Sequence, residues 1–179
     1  TSGGLFANGD DQVDTTKSDG FTSRIMTSYD LDDTFTLNAQ ISEGFRLGGV
    51  NDPLNATLCN ADDLAIFGNF QNYKDETLTN YEVGFKANSG NWSANTAVFY
   101  ADIKNLQVTL DAGSCSSRIS FNVPESHSTG VEFELSVRPT AELDISLAGS
   151  VLNSEFDSTV VDGNGAVIGG VEKGNRLAS

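Results

Sequence analysis

One histidine, two cysteines and two glutamates a single residue apart are the side chains of this 179-residue chain whose types could do chemistry. A Ser or Cys nucleophile needs a base within hydrogen-bond reach. The sole imidazole, His127, stands between Ser126 and Ser128 in a polar stretch that reads as an exposed loop. Glu132 and Glu134 point the same way on an alternating strand, a superficial likeness to the carboxylate pair of a glycosidase. Carboxylates on one side of a strand are also the ordinary content of a polar sheet face. Cys59, Cys115 and His127 lack the closely spaced ligand pairs of a zinc site. Asp10, Asp11 and Asp14 offer oxygens to a hard cation such as Ca²⁺, without the Gly and terminal Glu of a calcium loop. Asn55-Ala56-Thr57 and Asn91-Trp92-Ser93 match glycosylation acceptors, a pattern that arises often by chance. The reading is a chain with no catalytic residue, no metal site and no cofactor: not an enzyme.

Composition bounds the partners. A formal net charge of -15 and a pI near 4.1 exclude nucleic acid, whose phosphates need clustered Lys and Arg. Eighteen glycines and three prolines suit a β protein with many tight turns. No run approaches the roughly 20 apolar residues of a spanning helix, which excludes helical membrane proteins and leaves barrels untouched.

The elements that must position these residues are strands. The centre is Thr79 to Lys86, where Thr79, Tyr81, Val83 and Phe85 alternate with Asn80, Glu82, Gly84 and Lys86. A period of two marks a strand with one apolar and one polar face. Similar alternation predicts strands from Phe21 to Tyr29, Phe35 to Ser42, Trp92 to about Leu110, Thr129 to Arg138 and Leu143 to about Phe156. Residues 1–19 read as loop and 20–179 as strands with their connections. The turns at 30–33, 88–91 and 138–141 are short. The connections at about 47–75, 111–128 and 157–175 are long. In the first of these, Asp62 to Phe67 suggests one helical turn. In the second the chain returns through Ile119, Phe121 and Val123 and is interrupted at Pro124, which implies a bulge, an edge or an extension beyond the sheet proper. In the third, Asp162-Gly163-Asn164-Gly165 reads as a hairpin tip. Up-and-down strands put all short turns at one end and all long loops at the other. That asymmetry belongs to outer-membrane barrels. The alternation itself also fits a secreted β-sandwich binding module, an adhesin or carbohydrate-binding domain, that buries the Tyr81, Val83, Phe85 face against a second sheet.

Several motifs in order resemble those of TonB-dependent outer-membrane receptors: Glu43-Gly44-Phe45-Arg46 with Gly48, Gly49 and Asn51; Asn80-Tyr81-Glu82 with Gly84 and Lys86; Phe99-Tyr100 with Gln107; Gly130 and Glu132; and Gly174-Asn175-Arg176-Leu177. The resemblance implies an all-β, antiparallel, up-and-down transmembrane β-barrel segment of about six strands, with short periplasmic turns and long extracellular loops. It implies an internal piece of the barrel domain, 1–179, with the plug domain and barrel closure lying elsewhere, so that six strands alone are not a self-sufficient fold. The implied function is import across the bacterial outer membrane of a scarce ligand such as an iron-siderophore. The implied partners are that ligand at the extracellular loops, the receptor's own plug, TonB through the plug, and outer-membrane lipid.

Under that resemblance, Arg46, Glu82, Lys86, Glu132 and Glu134 face the lumen, where they solvate a wet interior and pair across strands at about 0.2–1 kcal/mol each. Phe35, Leu37, Ile41, Tyr81, Val83, Phe85, Val98, Tyr100, Val131, Phe133, Leu135, Leu143, Ile145 and Leu147 face lipid, with Tyr29 and Trp92 in the periplasmic aromatic girdle. Strand parity puts Cys59 and Cys115 in neighbouring loops at the extracellular end. Thiols there lie beyond cytosolic reductants, so a Cys59–Cys115 disulfide is expected.

Overall fold

The computed structural model describes residues 17–54 and 57–177. The candidate cation ligands Asp10, Asp11 and Asp14, and Asn55 of the first glycosylation match, lie outside the described residues. Six strands form one antiparallel sheet: β1 (Arg24–Asp30), β2 (Phe35–Arg46), β5 (Glu76–Ser89), β6 (Trp92–Asp111), β7 (Arg118–Thr140) and β8 (Leu143–Phe156). Their order in space is their order in sequence, so every connection joins neighbours. Two tiny strands, β3 (Gly49–Val50) and β4 (Asn72–Tyr73), pair with each other inside the first long connection.

The short turns are made by turn chemistry. Asp32 Oδ1 accepts the backbone N–H groups of Thr34 and Phe35 at 2.8 and 2.9 Å, an Asx-type cap. Gly90 takes φ +45° in the two-residue link between β5 and β6, a backbone region that L side chains rarely adopt. At the other end lie the three long connections.

Register sets the faces. Ile41, Tyr81 and Tyr100 are partners across β2, β5 and β6, as are Ala39, Val83, Val98 and Val131 with β7 included, and Leu135 pairs with Leu147. Every residue expected to face lipid shares this one face. It is open rather than packed: Val83 is 61% exposed and Leu147 57%. Among the described residues no second sheet covers it, so the sandwich arrangement is not the one adopted. Tyr29 and Trp92 sit beside the short turns, and Phe35 stacks on Phe85 there with ring centroids 5.5 Å apart.

The packed core lies at the long-loop end. One cluster joins Phe121, Val123, Phe156, Ile168 and Val171, with Ile66, Phe67, Phe70 and Leu106 against it. A second joins Leu54, Ala112, Cys115 and Ile119. Each buried Val, Leu, Ile or Phe among them contributes about 1.5–3 kcal/mol relative to exposure, so these connections are held by packing.

Two sequence expectations are corrected, and the helical one is extended. The sheet part of β1 begins at Arg24 and not Phe21, which is 87% exposed. The helical turn is a seven-residue helix, α1 (Ala61–Phe67), capped by Asn60. The stretch 111–128 is mostly strand: β7 runs unbroken through Pro124, and the tip shrinks to 112–117 around a 3₁₀ turn, Gly113–Cys115. Pro124 is tolerated because β8 pairing ends at Ser126, which leaves that side of β7 without a neighbouring strand. Facing it across the hairpin, Asn105 takes φ +53°. There the alternation breaks: the buried side of β7 passes from Ile119, Phe121 and Val123 to Ser126 and Gly130. The β6–β7 hairpin thus rises past its neighbours and turns apolar side chains toward the loops.

Candidate functional site

The polar face of the sheet forms a concave wall of about 640 Å³. Alternation places Arg46, Glu82, Lys86, Glu132 and Glu134 on it. A chain of bonds crosses three strands: Arg24 Nη2 donates to Gln40 Oε1 at 2.6 Å, and Gln40 Nε2 to Glu82 Oε2 at 2.8 Å. Asn80 Nδ2 reaches the same carboxylate at 3.5 Å, as Asn95 Nδ2 does Glu134. Phe99 points to this wall and lies over Gly130, where a Cβ would come within 2.7 Å of its ring. Gly130 is therefore the floor under an aromatic ring. Gly44 has no such neighbour, and nothing in the structure explains it. Glu43 and Tyr81 lie on the opposite, apolar face, Glu43 accepting from Ser23 Oγ at 2.8 Å. Phe45 covers Gly20.

The remaining family-motif residues build the seat of the first loop. Arg46 and Glu76 form the last pair of β2 and β5 and bond at 2.8 Å. Beyond that pair, β6 has no strand beside it, and the ion pair substitutes for one: Arg46 Nη2 donates to the Gln107 carbonyl at 2.8 Å, and Glu76 accepts the Gln107 N–H at 2.7 Å. The Gln107 side chain donates to the carbonyls of Leu47 and Lys74 at 2.9 and 3.1 Å. Asn51 does the same for the far edge of β7, bonding both backbone groups of Ser120. At Gly48 a Cβ would meet the Tyr73 carbonyl at 2.3 Å, and at Gly49 the Tyr73 ring at 2.5 Å. Asp75 accepts from Gly48 N at 2.6 Å and from Ser18 Oγ, and these bonds, the Ser18 one foremost, hold its carboxyl below the usual range.

The disulfide joins Cys59 to Cys115 with Cα atoms 4.1 Å apart. Beside it Ser114 donates to Asp63 Oδ2 through both its hydroxyl, at 2.6 Å, and its N–H, at 2.8 Å. Asp63 N–H caps back onto Asn60. The Ser114 hydroxyl bond, then the backbone bond, lowers the Asp63 pKa. Bridge and carboxylate together clamp α1 to the hairpin tip.

Of the residues first suspected of catalysis, Glu132 and Glu134 share the polar wall, and His127 and Ser126 do not line it. His127 bonds Asp157 at 2.7 Å and stacks on Tyr100 on the apolar face near its rim. Ser126 is fully buried. Among the described residues no group of three His, Cys, Asp or Glu is placed to hold a metal. Sequence reasoning missed the Arg46–Glu76–Gln107 and Asp63–Ser114 links, because both join residues distant in the chain. Asn60, three residues before Asp63 and next to an apolar run, carried a legible helix-start signal.

Comparison with known proteins places this geometry. A family model described as "TonB dependent receptor-like, beta-barrel" matches residues 1–179. Among curated proteins, cell surface glycoprotein 2 of Haloarcula hispanica is 28% identical over 84% of this chain and 17% of its own length. The pesticin receptor of Yersinia enterocolitica is 26% identical over 79% of the chain and 20% of its own. Among solved structures, the ferric yersiniabactin uptake receptor FyuA of Yersinia pestis superposes with TM-score 0.58 at 20% identity, covering 86% of this chain and 20% of that one. The chain thus spans about a fifth of the length of the proteins it matches.

Proposed function

The chain belongs to the TonB-dependent receptor-like β-barrel family, and from that membership we propose that it forms part of an outer-membrane receptor that imports a scarce ligand, with an iron–siderophore chelate as the favoured class. The observation that carries the reading is the division of one sheet: an open apolar face across six strands, a polar wall behind it, and a clamped loop platform at one end only. An apolar band with a polar interior is what a membrane barrel requires. In this reading the platform of 47–75, 112–117 and 157–175 meets the ligand from outside, and the wall carrying Glu82, Lys86, Glu132 and Glu134 meets the receptor's plug. TonB acts on the plug and not on this sheet. Pesticin and ferric yersiniabactin are named for the relatives, and only the broader class is carried to this chain.

The test is uptake by the full-length receptor in a host lacking its own chelate receptors. The expected result is recovery of the protein in the outer-membrane fraction and TonB-dependent accumulation of radiolabelled iron supplied as chelates. Recovery as a soluble protein without detergent would overturn the membrane reading. Membrane integration with uptake of a non-iron ligand alone would replace the ligand class.

A further inference from the structure

We infer that Asn164, at the tip of the third long connection, is a site of spontaneous covalent modification: its side chain closes on the Gly165 nitrogen and leaves aspartate or isoaspartate on the loop platform. The inference goes beyond the receptor reading, and its chemistry stands without that reading.

The tip holds two candidates, because Asp162 and Asn164 each precede a glycine. A side chain of that length reaches the next backbone nitrogen to close a five-membered ring, and glycine puts no Cβ in the way. Of the asparagines among the described residues, Asn164 alone is followed by glycine. The structure separates the two candidates. Asp162 Oδ1 accepts the N–H groups of Asn164 and Ala166 at 2.8 and 2.9 Å, as in an Asx turn. Its carboxylate is engaged, and an ionised carboxylate resists attack by nitrogen. The Asn164 side-chain amide is held by no hydrogen bond among the described residues. Asn164 is exposed, and nothing lies within 4 Å of where a Cβ would stand on Gly163 or Gly165. Its Cγ is free to swing over the Gly165 nitrogen.

In the reaction, hydroxide takes the Gly165 N–H proton and the nitrogen bonds to Asn164 Cγ. The Cγ–Nδ2 bond breaks, and ammonia leaves after taking a proton from water. Water then opens the cyclic imide at one of its two carbonyls, which gives aspartate or isoaspartate. One water is consumed, one ammonia is released, and nothing is oxidised or reduced. Asp162 sets the pace. The Gly165 N–H donates to the Asp162 carbonyl at 3.1 Å, near the long end of the range for such bonds, and must leave it before the nitrogen reacts. The product alters the loop. Isoaspartate adds a methylene to the backbone between Val161 and Val167, which pair across the tip, and strains the 2.9 Å bond from Asp162 N–H to the Ala166 carbonyl.

The full-length receptor in detergent would be aged in mildly alkaline buffer, digested, and read by mass spectrometry with electron-transfer fragmentation. Asn164 is expected to gain the mass of an amide-to-acid change about tenfold faster than Asn88 and Asn91, which are also exposed. Asp162→Ala removes the cap of the turn and should speed the change several-fold. Asn164→Gln can close only a less favourable six-membered ring and should stay unchanged. After ageing, protease should cut wild type within 158–168 several-fold faster than Asn164→Gln. Conversion of Asn164 no faster than that of Asn88 and Asn91 overturns the site. Isoaspartate at 162 before any change at 164 overturns the separation of the two candidates. A rate in Asp162→Ala equal to wild type overturns the braking role of Asp162, and equal cleavage of the aged proteins overturns the effect on the loop.

Discussion

The side-chain amide of Asn51 takes both backbone groups of Ser120: Nδ2 donates to the carbonyl at 2.7 Å, and Oδ1 accepts the N–H at 2.9 Å. One side chain thereby does for β7 what a neighbouring strand would do. Nδ2 donates to the Phe70 carbonyl as well, at 2.8 Å, so the same residue pins its own loop to the hairpin. Open edges are liabilities in β proteins. Here the two edges of the rising β6–β7 hairpin are closed by side chains, Arg46 and Glu76 on β6 and Asn51 on β7.

Asn51→Leu removes three hydrogen bonds and leaves Ser120 N–H and C=O at an edge that Asn51, itself 7% exposed, now covers. A buried polar group left unmade costs about 1–3 kcal/mol. Amide exchange mass spectrometry on the full-length receptor is expected to show faster exchange in 118–123 with no change in the β5–β6 pairing below. Unchanged exchange in 118–123 would show that Asn51 is dispensable to the edge.

The disulfide spans a separation of 56 residues, worth about 4 kcal/mol in the chain-entropy account. Cys59→Ser with Cys115→Ser should therefore loosen the platform while the sheet persists. Limited proteolysis is expected to cut within 52–60 many times faster than in wild type, and ligand affinity should fall with it. Equal cleavage rates would mean that packing of Leu54, Ala112 and Ile119 alone suffices.

Asp63 gives the clamp a pH dependence with a definite sign. Its folded-state pKa is lowered by the Ser114 hydroxyl and then by the Ser114 N–H. A lowered carboxylate contributes stability that is fully present above its unfolded pKa of about 3.9 and is lost as pH falls through the folded value. Reduction of the Cys59–Cys115 bond by a phosphine, which acts in acid, should be slow and flat from pH 7 to 5 and accelerate below about pH 4. Asp63→Ala should be fast at every pH. A wild-type profile parallel to that variant would remove Asp63 from the clamp.

Strand, turn and disulfide were legible in sequence because each rests on local period or on parity. Tyr81, Val83 and Phe85 announce their face by alternation alone, and Cys59 and Cys115 share an end because strands reverse. The hairpin's rise was legible only as one of the options that Pro124 left open, a bulge, an edge or an extension beyond the sheet proper, and Pro124 occupies an edge that no neighbour uses. The seat of the first loop was hidden. Arg46 and Gln107 lie 61 residues apart in the chain, and their bond forms only once β2, β5 and β6 are in register. The motif residues were legible as a pattern, while their work as edge closures follows from tertiary placement.

The depth of the apolar band gives the last prediction. On β6 the outward run from Trp92 to Tyr100 reaches the lower end of the about 9–11 residues with which a tilted barrel strand crosses a membrane. Val98 stands inside this run with Val83 and Val131 as its partners. Leu135 lies opposite Ala94, two pairs from the Trp92–Val137 end, as Val98 lies two residues from the Tyr100 end. Val98→Arg and Leu135→Arg should therefore cost alike, about 2–4 kcal/mol near the midplane, because the penalty falls toward either interface. Ala97→Arg turns to the polar wall, where Glu132 is its direct partner, and should cost little. Ser136→Arg faces the same wall and should behave alike. Guanidinium unfolding of the full-length receptor in phospholipid vesicles measures all four. Equal losses for Val98→Arg and Ala97→Arg would contradict the assignment of faces, and a larger loss at Leu135 than at Val98 would shift the membrane midplane toward the short turns.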